Sequence, residues 1–188
     1  MRTYIVMILT MLVFLCYSAL KGLAVTDTIK PAPFDIPQHL GIGEYSVLPE
    51  QGVVINKLPL ERLSEIKLII ARLAKFDGQV EGLPIVNQLH DEGDSLIVVF
   101  GYTEGVYPIE ILSGEAIEVI RGVLEVFRKA QISIEVHSKK DLIDCFGIDG
   151  HGRVHMVNLN RLRFLIIRKA IDRSIDHALS FIDDGKRH

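Results

Sequence analysis

The stretch SLIVVFGY, Ser95 to Tyr102, carries five consecutive apolar residues from Leu96 to Phe100. A strand with one wet face alternates polar and apolar residues, so an unbroken run of this length predicts a strand covered on both faces and central in its sheet. Working outward, Asp91-Glu92-Gly93-Asp94 reads as a polar turn, which makes residues 83–90 and 95–102 a hairpin. His90 at its edge puts an imidazole beside several acids, but a solvated turn is needed there anyway. Further upstream, Leu63, Ile66, Ile70 and Leu73 repeat at helical spacing, with Pro59 suited to the first turn and Asp77-Gly78 to the stop.

Downstream of the run, Thr103-Glu104-Gly105 turns the chain into a short strand over 106–112, where Tyr107, Ile109 and Ile111 alternate with Pro108 and Glu110. Ser113 is placed to cap a helix whose buried stripe is Ala116, Ile120, Val123, Phe127 and Ala130, with Glu125 and Lys129 paired on the outside. Residues 132–138 (ISIEVHS) alternate as a strand, and a strand–helix–strand path from 106 to 138 predicts parallel pairing through a right-handed crossover. A short helix near 139–146, the turn at Asp149-Gly150-His151-Gly152 and a strand over 153–159 follow. A closing helix is expected over 160–182, with Phe164, Ile167, Ile171, Ile175, Ala178 and Ile182 along one stripe. The expected fold class is α+β: a single domain over 51–188 with a mixed β-sheet and about three substantial helices.

The N-terminus is of another character. Tyr4 to Leu20 (YIVMILTMLVFLCYSAL) is uncharged and lies between Arg2 and Lys21, the pattern of an export leader. Residues 1–24 are expected to be a signal peptide cut after Ala24, with small residues at Gly22 and Ala24, or a retained anchor whose residues 4–20 cross the membrane. Residues 25–50 hold Pro31, Pro33, Pro37 and Pro49 and read as a semi-stiff linker. Phe34, Ile36, Leu40 and Tyr45 equally suit an arm wrapped on the body. These features predict an exported chain of the cell envelope, either anchored and facing outward or periplasmic or secreted after cleavage.

Composition narrows the function classes. The 188-residue chain carries 21 basic and 24 acidic residues, and removing residues 1–24 takes away Arg2 and Lys21, which makes the remainder more acidic still. No nucleic-acid footprint is expected from such a balance. Cys16 lies in the leader and Cys145 is the other of the two cysteines, so a disulfide scaffold is excluded. Leu142, Ile143 and Phe146 around Cys145 predict a packing role.

Metal or hydrolytic chemistry would have to draw on His137, His151, His155 and Asp149. His137 and His155 share outward parity on their expected strands, and on neighbouring strands they would share a face with Glu135 and Arg153. His151 and His155 are four apart, but Gly150 and Gly152 oppose the helix that a metal pair at this spacing uses. Asp149-Gly150-His151-Gly152 lacks the lysine of a phosphate loop and the ligand series of a calcium loop. Ser113 and Ser138 have no base partner evident in sequence. No cofactor is expected. Arg161, Arg163, Arg168, Lys169 and Arg173 form a basic cluster assigned to the last helix, either a solvated face or a dock for an acidic partner or anionic headgroups. The leading expectation is an exported or membrane-anchored, non-catalytic protein-binding or assembly domain. The alternatives are an exported hydrolase or metal-binding enzyme on His137, His151 and His155, and a secreted inhibitor or immunity-type protein.

Overall fold

Strand β4 (Ser95–Gly101) has β2 (Val53–Pro59) on one side and β3 (Val86–Asp91) on the other, both antiparallel. Leu96 to Phe100 are all buried, as a strand covered on both faces requires. The computed structural model describes residues 37, 39–84, 86–101 and 105–183, without the side chain of Asn87. The expected leader, the first half of the expected linker and the turn at 103–104 lie outside the described residues.

β1 (Tyr45–Leu48) completes a four-stranded sheet of order β1-β2-β4-β3. It falls inside the 25–50 stretch; Tyr45 and Val47 pack on the main core, and Leu40 is buried against Ile55, Ile97 and Val99 on the opposite face. The register pairs Val54 with Phe100, Asn56 with Val98 and Leu58 with Leu96, which sets these residues on one face. That face belongs to one apolar cluster with Ile66, Ile69 and Leu73 of helix α1 (Leu63–Leu73). Pro59 closes β2 opposite Ser95 instead of opening α1, because a single turn at 60–62 intervenes. The hairpin turn is one residue shorter than expected, since Asp91 still belongs to the strand, and His90 is buried rather than solvated, sharing a 2.8 Å hydrogen bond with Gln88.

Helix α2 (Gly114–Ala130) keeps its expected cap and stripe. Ser113 Oγ accepts from the Ala116 amide at 3.1 Å, and all five stripe residues are buried. Gln131 ends the helix at φ 60, its amide donating to the Phe127 carbonyl. Glu125 pairs with Arg128 rather than Lys129. Arg72 of α1 donates to the Ala130 carbonyl at 3.1 Å and to Gln131 Oε1 at 2.7 Å, a cation at the negative end of α2.

The expected single mixed sheet is instead three antiparallel sheets, and the parallel crossover is absent among the described residues. β5 (Val106–Pro108) pairs with β7 (Phe146–Asp149), which pairs in turn with β8 (Val154–Met156). β6 (Ile132–Ile134) pairs with β9 (Leu162–Phe164). Phe146 therefore begins a strand, and the short helix α3 (Lys139–Ile143) stops before it. β5 ends at Pro108, and beyond it Ile109 turns inward while Ile111 stands in solvent; Tyr107 is exposed within the strand. The last helix, α4 (Arg168–Asp183), starts later than expected. Phe164 belongs to β9 and Ile167 precedes the helix, while Ile171, Ile175, Ala178 and Ile182 form its buried stripe. Helices α2 and α4 are joined at the surface by Arg121–Asp183 at 2.8 Å and Arg128–Asp176 at 2.7 Å.

Candidate functional site

One polar cluster lies on the β7–β8 hairpin. Asp149 ends β7 and opposes Val106 of β5, which puts its carboxylate where strand packing excludes water. The turn at 150–152 returns the chain, and Gly152 adopts φ 82, open to glycine at little cost. The Asp149 side chain, 2% exposed, then meets four donors from this hairpin. Oδ1 accepts from the His151 amide at 2.9 Å and the Arg153 amide at 3.0 Å. Oδ2 accepts from Arg153 Nε at 2.8 Å and lies 2.8 Å from His155 Nε2. Burial alone would raise the carboxyl pKa; the bonds from His155, Arg153 and His151 outweigh it and hold the group well below the usual carboxylate range.

A second cluster surrounds α3. Ser138 caps the helix by accepting from the Asp141 amide at 3.0 Å. Asp141 Oδ2 accepts from the His137 amide at 3.0 Å, while Oδ1 lies 3.5 Å from Arg161. The His137 amide bond lowers the Asp141 pKa; desolvation opposes it, and the Arg161 charge adds to the lowering. Cys145 follows α3, fully buried, with its thiol hydrogen-bonded to the Asp141 carbonyl at 3.2 Å. Burial pushes the thiol up to about 12, so it stays neutral and packs as a small apolar group.

The expected histidine face does not form. β6 pairs with β9 and β8 with β7, so the strand before His137 and the strand holding His155 are not neighbours. His137 is exposed in the loop after β6, whereas His155 is 16% exposed and turned onto Asp149. His151 belongs to the glycine turn, its amide engaged by Asp149. Among the described residues, no group of three or more His, Cys, Asp or Glu side chains could hold a metal ion. No described helix is long and apolar enough to cross a membrane.

The basic cluster is also redistributed. Arg161 precedes β9, Arg163 lies within it, and only Arg168, Lys169 and Arg173 belong to α4. Arg163 pairs with Glu135 at 3.0 Å and Arg168 with Asp172 at 3.1 Å. Arg173 Nε donates to the Lys169 carbonyl at 3.4 Å.

One residue with a large structural role escapes sequence reading. Asn56 is fully buried in β2; its Nδ2 donates to the Val157 carbonyl at 2.7 Å and its Oδ1 accepts from the Leu159 amide at 2.8 Å. Its signal was a polar residue sharing the inward parity of Val54 and Leu58. No protein-family model, curated protein or solved structure matches the chain.

Proposed function

We propose that the chain is an exported or membrane-held domain that binds another protein of the cell envelope without catalysing a reaction. The observation that carries this reading is Asp149. Its carboxylate has both oxygens engaged by its own hairpin, so it works as a fold element. The remaining support lies in the sequence: an uncharged stretch over residues 4–20, a proline-rich stretch after it, and no G-x-S-x-G, H-E-x-x-H or C-x-x-C motif.

A second reading is an exported hydrolase, favoured by the same His155–Asp149 pair, since a carboxylate that orients an imidazole is half of a general-base dyad. One experiment addresses both. The full chain is expressed with its N-terminus intact, fractionated, sequenced at the N-terminus of the product, and purified with whatever stays bound. The binding reading expects an exported or membrane-associated product with a stoichiometric protein companion. A product confined to the cytosol refutes it. Turnover of ester, amide or phosphate substrates that is lost in His155→Ala moves the hydrolase to first place.

A further inference from the structure

We propose that the loop between β9 and α4 is a membrane-seating tip, with Ile166 and Ile167 entering the headgroup layer of an anionic bilayer and the surrounding cations contacting the headgroups. The inference rests on the reading of the chain as membrane-held, and it assigns the face by which the body meets the bilayer.

Ile166 is 81% exposed and Ile167 69%. Along a strand successive side chains alternate between the two faces, so two exposed neighbours just after β9 mark a loop that projects from the sheet. Apolar residues on either side find cover, Leu165 against the core and Ile171 fully within it. The exposure is therefore local to the tip.

Cations flank the tip on both sides in sequence: Arg161 and Arg163 precede it and Arg168 and Lys169 follow it, in a chain of formal net charge −3. Helix α4 begins at Arg168 with no acid in its first turn, so its positive dipole end adds to the same field. Arg161, Arg163 and Arg168 have intramolecular acids. Lys169 and Arg173, one turn apart on the exposed side of α4, have no carboxylate partner among the described residues.

An anionic lipid surface fits this arrangement better than a protein. A stable protein interface covers about 800 Å² on each partner, and two isoleucine side chains fall far short of an apolar centre for one. A bilayer needs only a few apolar groups below its phosphates and cations at their level. Such seating is weak by itself and takes effect on a chain already tethered beside the bilayer.

The chain contains no tryptophan, so Ile167→Trp installs a single indole at the tip, excited selectively over the tyrosines. The full-length variant is reconstituted into phosphatidylcholine vesicles and into vesicles where phosphatidylglycerol replaces part of that lipid. Thermal melting matched to wild type confirms the fold, and Ile166→Trp serves as an independent reporter. The expected result is a blue shift and quenching by brominated lipid in the anionic vesicles alone, both lost on adding Lys169→Glu and Arg173→Glu. Unshifted emission in a chain that floats with anionic vesicles overturns the proposal, as does an equal shift in both vesicle types. A shift of the same size with soluble polyglutamate reassigns the tip to an acidic protein and also overturns it. A chain that floats with neither vesicle type overturns the membrane-held reading itself, and this proposal with it.

Discussion

Replacing Asn56 by alanine tests whether two side-chain hydrogen bonds hold the first sheet to the segment between β8 and β9. Both partners are backbone groups of buried residues, the Val157 carbonyl and the Leu159 amide. Alanine removes the amide and leaves a donor and an acceptor stranded where water cannot replace it. Each stranded group costs about 1–3 kcal/mol, so the variant should lose roughly 2–6 kcal/mol. Against a total of about 5–15 kcal/mol for an ordinary domain, this is a large share. Asn56→Asp sharpens the test. It keeps an acceptor for Leu159 but sets a second oxygen against the Val157 carbonyl, so the folded state favours the protonated acid. Its folded pKa then lies above the unfolded value of about 3.9, and stability falls as pH rises through that window. Urea unfolding of the chain beginning at Val25, followed by circular dichroism at low and neutral pH, measures both effects. An Asn56→Ala midpoint equal to wild type would refute the argument, and so would an Asn56→Asp variant whose deficit does not deepen between acid and neutral pH.

Asp149 has the opposite sign. Its folded carboxyl is held below the unfolded value, so its contribution is complete above about pH 4 and fades as pH falls toward the folded value. Asp149→Asn should flatten the acid limb of the stability–pH curve, measured by urea midpoints at successive pH values. Cys145→Ala should cost on the order of 1 kcal/mol through a small cavity, and the native thiol should resist labelling at pH 8 until the protein is unfolded. At Gly147 an added Cβ would lie 2.5 Å from Val106 Cγ1 and 3.1 Å from the Tyr107 carbonyl oxygen. Gly147→Ala should therefore lower the melting temperature, by the equivalent of about 1–3 kcal/mol.

The elements legible in the sequence are those whose own residues determine them. The run from Leu96 to Phe100 announces a covered strand, and Ser113 with its stripe announces α2 at both ends. The pairing of Val106 with Asp149 and of Ile132 with Phe164 is different in kind. Strands of three residues carry too little periodicity to reveal a partner, and sequential strands joined by a helix suggested a parallel crossover that the chain does not use. Phe164 and Ile167 misled because they fall at helical spacing before the true stripe of α4, although a strand and a loop hold them. For the candidate site, outward parity of His155 was legible, but it reaches inward onto Asp149 because the hairpin buries that carboxylate. Burial of Asp149 depends on β5, some forty residues earlier in the chain, and local spacing carries no trace of it.

The Asn56 clasp also bears on the order in which the molecule can be completed during synthesis. The strands that surround Asn56 are finished when Gly101 leaves the ribosome, yet its hydrogen-bonding partners, 101 and 103 residues further along the chain, are not. Until they arrive, the Asn56 amide is satisfied by water, and covering the inward face of β2 with an apolar layer would strip that water without replacing it. The first half of the chain is thereby kept from settling as an autonomous unit, and a nascent polypeptide stopped before Val157 should remain open to proteases where the released one resists them.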